Sequence, residues 1–390
     1  MYFRERDKCF HAMRKKILFI IPEYSYGGTN KSLQSLISFL NRDKYHFYIY
    51  SLYEDGEDYY KNIFKPYSIK KGIIYYLLHD NIITRKLLGL YHIINKKDRL
   101  EWLYKYEAKR LNKKYEFDVI VSYQELLATE FSSYFENNHL IAWVQCDYPV
   151  LVGKKRYKRD LSIYEKYEKI ICVSKSCAES LKLFFPTLSQ RIISIYNTID
   201  TNRIIELSHD PIENIFDDHI FSIISVGRFH KEKGFDKIPG IMRQVSEMTG
   251  HKVKWYLIGS GQEEDRIKNE IVINDVKDSV VLMGHRDNPY PYIAKANLYV
   301  CTSDTESFSY TIAEAKILHT PIICNSFPVA NEVIDKSVGI ICPISKMANK
   351  IVEFVNDENG VYTNISNKIK NYTYDNNIIV KNIEYLFDKI

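Results

Sequence analysis

Lys16 to Leu33 reads KILFIIPEYSYGGTNKSL. Its first seven residues form an apolar run closed by Pro22, the pattern of a parallel strand buried on both faces and ended where proline withholds the next amide. Gly27-Gly28 follows as a turn, and Ser32 to Leu40 then carries apolar residues at helical spacing. Strand, glycine turn and helix together open a doubly wound sheet. Working outward, Tyr45 to Leu52, Phe117 to Ser122, Leu140 to Val144 and Lys169 to Val173 repeat the strand pattern with helical-length segments between them. A second series follows residue 210: Phe221 to Val226, Val253 to Ile258, Val280 to Met283, Leu298 to Cys301 and Pro321 to Cys324 read as strands, and Phe235 to Met248 and Glu263 to Ile273 as helices. The expected fold is therefore α/β, with two Rossmann-like, doubly wound parallel-sheet domains facing a cleft and ligands at the carboxyl ends of their strands. The predicted division is 1–205, 206–372 and a final helix, 373–390, packing back on the first domain, with the break near Asp210-Pro211.

Length and composition agree. A chain of 390 residues suits two or three folding units of roughly 150 residues each. Hydrophobic and charged fractions of 45% and 26% exclude a disordered, collagenous or coiled-coil chain. No apolar run approaches the roughly 20 residues of a membrane helix. The basic start through Lys16 runs into Pro22 and GGTN without a small-residue cleavage site, so a cytoplasmic protein is expected. Seven cysteines, an odd number without a CxxC pair, read as reduced and mostly buried thiols and exclude a structural zinc site.

Charge is unevenly spread. Residues 1–200 hold 33 Lys+Arg against 23 Asp+Glu, and residues 201–390 hold 21 against 26. Such asymmetry suits a first half that meets a polyanion, nucleic acid or an anionic membrane face; an AT-rich genome that overuses Lys, Asn, Ile and Tyr gives the same bias. Residues 59–115, dense in Lys, Arg, Tyr and Leu, read as an inserted helical segment that either lies on a membrane interface or packs as a layer (Ile73 to Leu78, Arg85 to Leu90, Trp102 to Lys114).

Glycine turns follow three strands, at Gly27-Gly28, Gly227 and Gly259-Ser260-Gly261, where backbone amides and a helix start can approach an anion. GGTNKS lacks the glycine before Lys31 that a phosphate loop requires, and no GxGxxG occurs, which argues against an ATPase and a dinucleotide oxidoreductase. In Gly227 to Gly234 (GRFHKEKG), Arg228 supplies a planar fork and Lys233 a point charge before a helix, a pairing suited to a diphosphate. Thr302 to Glu314 (TSDTESFSYTIAE) follows a strand and opens a helix, with Glu306 in the turn, Glu314 inside the helix on the same side, and the amides of Ser309 to Thr311 directed at an anion.

The sequence GRFHKEKG, LIGSG and TSDTESFSYTIAEAKILHTPIIC in that order across residues 220–345, with AWVQCDYP and Tyr196 to Asp200 (YNTID) upstream, resembles the large retaining glycosyltransferase group of the GT-B fold, often called family four, with its Glu-x7-Glu motif. The resemblance implies that Arg228 and Lys233 hold the donor diphosphate and that Glu306 contacts the donor sugar near its reacting face. The main chain of Ser307, Phe308, Ser309 and Tyr310, with Thr311 beside it, would bind sugar hydroxyls and the β-phosphate. Glu314 would accept the ribose hydroxyls and the Gly28 amide would face the phosphate. Gly259, Gly284 and His285 would border the nucleotide, and Asn197 the hinge side. Many relatives carry His where this chain has Gln145, with Asp147 nearby; Gln cannot titrate, so a neutral hydrogen-bonding role on the acceptor side is expected.

What the resemblance implies for function is a retaining hexosyltransferase without a cofactor, using a nucleotide-sugar donor, UDP-linked in preference to GDP-linked. The acceptor is expected to be a saccharide, polyprenyl-diphosphate-linked, met at the inner face of the cell membrane during surface polysaccharide synthesis, with no nucleic-acid partner. Alternatives are a protein or other glycan acceptor, or a non-catalytic partner that binds glycan or stabilises an active paralogue. Asp304-Thr305-Glu306 mimics the metal-binding Asp-x-Asp of the other main glycosyltransferase fold, but that fold would place it near residue 100, so no essential metal is expected.

Overall fold

The structure, a computed structural model, describes residues 14–25, 27–53, 58–69, 101–136, 138–213 and 215–390. Two compact units result: one comprises residues 1–173, 178–198 and 377–390, the other residues 174–177 and 199–376.

The first unit is built on a parallel sheet of β1 (Lys15–Ile21), β2 (Tyr45–Ser51), β3 (Val119–Ser122), β4 (His139–Val144), β5 (Lys169–Cys172) and β6 (Ile192–Ser194), in the order β2-β1-β3-β4-β5-β6. Ile17 to Ile21 and Val119 to Val121 have no exposed surface, as strands covered by helices on both faces should. Removing each such aliphatic side chain from water contributes roughly 1.5–3 kcal/mol. The second unit repeats the architecture with β7 (Phe221–Val226), β8 (Val253–Ile258), β9 (Val280–Gly284), β10 (Leu298–Cys301), β11 (Ile322–Asn325) and β12 (Gly339–Cys342), ordered β12-β11-β10-β7-β8-β9. Trp255 is wholly buried in its core, and its indole N–H is satisfied by Ser225 Oγ at 2.9 Å. The doubly wound α/β fold is as the sequence reading expects.

Strand order reverses between β1 and β3 in one sheet and between β7 and β10 in the other. Adjacent crossovers leave in opposite directions there and open a crevice at the strands' carboxyl ends, so the loops after these strands are where a ligand is expected.

Several elements differ from the sequence reading. β6 and β12 were not anticipated. Gly339 lets β12 approach β11, since a Cβ there would stand 2.2 Å from the Ile322 carbonyl oxygen. The helix expected from Phe235 begins as a 3-10 turn, Phe235–Lys237, and becomes α-helical at Ile238–Met248, where Pro239 in the first turn fits the absent amide bond. The helix Thr201–Ser208 lies in the second unit, capped by Asp200 accepting from the Arg203 amide at 3.1 Å, and packs on the helix Tyr290–Lys295. Within 59–115, helices are described at Asp58–Phe64 and Glu101–Tyr115; the stretches 73–78 and 85–90 lie outside the described residues.

The helix Asn376–Lys389 closes the first unit. Lys15 Nζ donates to the Phe387 carbonyl at 2.7 Å, the Tyr45 hydroxyl donates to Asp388 Oδ1 at 2.6 Å, and Phe387 is fully buried. Asn376 itself pairs in both directions with the main chain of Ile199, at 3.0 and 2.8 Å. No helix among the described residues is long and apolar enough to cross a membrane.

Candidate active site

In the second unit the loops leaving β7 and β10 are joined edge to edge. Thr302 Oγ1 donates to the Lys233 carbonyl at 2.9 Å, and the Asp304 amide donates to the Glu232 carbonyl at 2.8 Å. Gly234 makes this approach possible: its φ is +65°, and a Cβ would lie 2.5 Å from the Thr302 oxygen. The same junction brings Lys233 Nζ to Glu306 Oε1 at 2.6 Å, and Ser303 Oγ donates to that same oxygen at 2.7 Å. Ser303 is fixed in turn by Asn325 Nδ2, which donates to its carbonyl at 2.9 Å. Both bonds to Glu306 fall on Oε1, which leaves Oε2 as an acceptor for a ligand hydroxyl. The Glu306 side chain is 8% exposed and that of Lys233 26%, so the pair is partly desolvated and its geometry is constrained. Lys237 and Asp304 form a second ion pair beside it. Arg228, one residue past the β7 turn, is exposed, and its guanidinium makes no hydrogen bond or ion pair among the described residues.

The β10 loop then enters the helix Tyr310–Ile317 through Ser309, whose φ of +59° is left-handed and whose buried hydroxyl has no partner among the described residues. The first amides of that helix are unpaired within it and carry partial positive charge. Phe308 is buried with its ring 4.9 Å from that of Tyr310, and the Ser307 carbonyl accepts from Cys177 Sγ at 3.8 Å. Thr311 lines one small pocket with Lys233, Thr302, Ser303 and Glu306. Glu314, on the helix, is 2% exposed. Burial holds the Tyr299 hydroxyl well above its ordinary range, and the nearby charges of Glu306 and Glu314 add to the effect.

Gly259 and Gly261 bring the loop after β8 against the loop after β7. The Phe229 amide donates to the Ser260 carbonyl at 2.8 Å, and a Cβ on Gly259 would stand 1.9 Å from the Gly227 oxygen. The Gly259 amide donates to the Gly284 carbonyl at 3.0 Å. Gly284 ends the edge strand β9, and His285 beyond it is exposed with Nε2 3.1 Å from Asp287 Oδ1. The structure thus brings together Lys233, Glu306 and Thr311, places Arg228, Ser307 to Tyr310 and Glu314 on the same two loops and helix, and leaves His285 at the sheet edge.

Gly28, Gln145, Asp147 and Asn197 belong to the first unit. Gly28 is exposed and opens the helix Gly28–Phe39 directly after the β1 loop. Asn197, 2% exposed, donates from Nδ2 to Gln145 Oε1 at 3.2 Å and accepts from Ser32 Oγ at 2.8 Å. Ser32 has one proton and gives it to Asn197, so the Tyr123 hydroxyl donates to Ser32 Oγ, at 2.7 Å. Burial raises the Tyr123 hydroxyl well above its ordinary range, with Ser32 and Gln145 opposing the shift. The Gln145 amide donates to Glu125 Oε2 at 2.9 Å, and Asp147 Oδ1 accepts from Ser180 at 2.9 Å. The Gln145 side chain thus accepts from a neutral amide, while its main-chain N–H is held by the Glu125 carboxylate.

Sequence reasoning missed Ser32, Tyr123, Glu125, Ser303 and Asn325. Tyr123 and Glu125 follow the carboxyl end of β3, beside the point where strand order reverses, and that placement was the available signal. Ser303 lay inside the quoted motif, but its bond to Glu306 depends on a turn whose shape the spacing does not reveal.

Paired doubly wound units with this loop constellation define the GT-B class. Residues 210–375 match the family model described as Glycosyl transferases group 1. Among curated relatives, it is 26% identical over 178 residues to the O-antigen biosynthesis glycosyltransferase WclY of Escherichia coli, covering 45% of this chain and 48% of that one. It is also 26% identical over 162 residues to the N-acetylgalactosamine-N,N'-diacetylbacillosaminyl-diphospho-undecaprenol 4-alpha-N-acetylgalactosaminyltransferase of Campylobacter jejuni, covering 42% of each. The chain spans about half the length of these relatives. Among solved structures, HepE of Anabaena in complex with UDP and glucose superposes with a TM-score of 0.71 at 16% identity, over 97% of this chain and 100% of that one.

Proposed function

We propose that the chain transfers a hexosyl group from a UDP-sugar to a hydroxyl of a saccharide acceptor, with retention of anomeric configuration and without a metal. The observation that carries this reading is the Lys233–Glu306 pair, held at the point of strand reversal with one carboxylate oxygen unengaged and the unpartnered Arg228 guanidinium on the same loop as Lys233. As the bond from the anomeric carbon to the β-phosphate breaks, negative charge grows on the phosphate. Arg228, Lys233 and the amides from Ser309 to Thr311 stabilise that charge without reorganising. Glu306 Oε2 accepts a sugar hydroxyl, Glu314 accepts the ribose hydroxyls, and Gly259, Gly284 and His285 border the base. The departing phosphate takes the acceptor proton as the new bond forms on the same face. In the first unit, Gly28 offers a helix-start amide, and Gln145, Asp147 and Asn197 serve the acceptor side.

The UDP seen with HepE supports a uridine donor. The Escherichia coli and Campylobacter jejuni relatives support an acceptor used in surface polysaccharide assembly and carried on a polyprenyl diphosphate. The excess of Lys+Arg in residues 1–200 supports work at an anionic membrane face. Incubating the purified chain with UDP-, GDP- and dTDP-sugars and a saccharide acceptor, with and without chelator, tests the proposal. Expected are consumption of UDP-sugar, a retained anomeric centre by NMR, indifference to chelator, and a loss of about 10²–10³ in rate for Arg228→Ala. Full activity of that variant, or no nucleotide-dependent rise in melting temperature, would refute it.

A further inference from the structure

Three residues beyond Gln145, the chain leaves β4 in a short helix, Tyr148–Val152, turns at Gly153 with φ +62°, and continues through a 3-10 turn, Lys154–Arg156. Val150 is 70% exposed and Leu151 52%, and Leu183, on the helix Lys175–Phe184 that packs against this segment, is 82% exposed. These aliphatic groups are presented on a firm base. Tyr148, 2% exposed, donates to Asp160 Oδ2 at 2.7 Å, its ring lies 6.3 Å from that of the buried Phe185, and Tyr157 stacks edge-on to Phe184 at 5.4 Å. Beside them the side chains of Lys154, Lys155 and Lys158 are exposed and make no hydrogen bond or ion pair among the described residues. Arg156, by contrast, is neutralised by Asp160 at 3.0 and 3.2 Å.

Protruding aliphatic side chains rimmed by unpaired lysines match the interface of an anionic bilayer: the apolar tips enter the acyl boundary and the ammonium groups remain among the headgroup phosphates. We infer that Val150, Leu151 and Leu183, with Lys154, Lys155 and Lys158, form a surface that docks on an anionic lipid membrane. The inference rests on the lipid-linked acceptor proposed above: a segment seated on the bilayer and beginning three residues after Gln145 would bring a membrane-anchored saccharide to the acceptor side.

Flotation of the full chain with vesicles of phosphatidylcholine alone, or of phosphatidylcholine with phosphatidylglycerol, tests it. The wild type is expected to float with the anionic vesicles and to remain unbound with the zwitterionic ones. The triple variant Lys154→Glu, Lys155→Glu, Lys158→Glu should lose binding by on the order of 10²-fold. Val150→Ser with Leu151→Ser should weaken it by about tenfold. Equal flotation with both lipids, unchanged flotation of the lysine variant, or binding to duplex DNA in place of vesicles would overturn the inference. The melting shift with UDP and transfer to a water-soluble acceptor should be the same in wild type and variants, so failure of docking and failure of the transferase proposal are read separately.

Discussion

Lys233 Nζ and Glu306 Oε1 meet at 2.6 Å across a sequence separation of 73 residues. One cation is therefore already offset by one carboxylate before any phosphate arrives. Binding a nucleotide diphosphate must share Lys233 between Glu306 and the ligand, so the two residues oppose each other in ground-state affinity while cooperating in transfer.

Glu306→Gln keeps the acceptor for Ser303 and removes the charge that competes for Lys233. UDP should bind roughly fivefold more tightly by calorimetry, while transfer falls by about 10²-fold. Opposite signs for affinity and rate distinguish this from simple misfolding. Weaker UDP binding would contradict the shared-cation arrangement.

Gly234→Ala forces a left-handed φ on a residue with a Cβ and drives that carbon to within 2.5 Å of the Thr302 oxygen. A loss of more than about 2 kcal/mol in urea unfolding is expected. Because Lys233 precedes it, UDP affinity should fall at temperatures where the variant is still folded. Retained affinity would show that the loop junction does not place Lys233.

Ser32→Ala removes both the acceptor of the Tyr123 hydroxyl and the donor to Asn197 in a buried setting. A cost of about 1–3 kcal/mol is expected. Ser38→Ala, on the same helix with an exposed residue, should change stability by less than about 0.5 kcal/mol. Chemical denaturation of the two variants side by side checks the contrast.

Lys316 is 8% exposed, donates to the Val333 carbonyl at 2.8 Å and lies 4.7 Å from the Tyr372 ring centroid. Burial pushes its ammonium down from the ordinary 10.5 to about 8, with Asp335 opposing the shift. Between these two values the unfolded chain binds more protons than the folded one, so this group makes stability rise with pH; below about 8 the cost of burying the charge is fully present. The melting temperature of the wild type should climb relative to Lys316→Met between pH 7.5 and 10, and parallel curves would refute the assignment.

Most of the architecture was legible because buried parallel strands are written as short apolar runs, such as Ile17 to Ile21, that recur here between helical-length segments. The strands β6 and β12 escaped because each is three or four residues long and sits at a sheet edge, where part of the run faces solvent. In the candidate site, Arg228, Lys233 and the acid pair were legible from residue type and order. The contact of Lys233 with Glu306 was not, since it depends on how two loops 73 residues apart pass each other, and a single glycine dihedral decides that. The network around Gln145 was hidden for a similar reason: Ser32, Tyr123 and Asn197 are ordinary residues until three separate segments converge.

The helix that completes the first unit, with Phe387 seated against β1 and β2, is translated only after the whole of the second unit. On the ribosome the amino-terminal sheet must wait, with an apolar seam uncovered, while nearly two hundred further residues emerge. Chaperone dependence during synthesis, and a slow final docking step in refolding, would be the kinetic signature of that ordering.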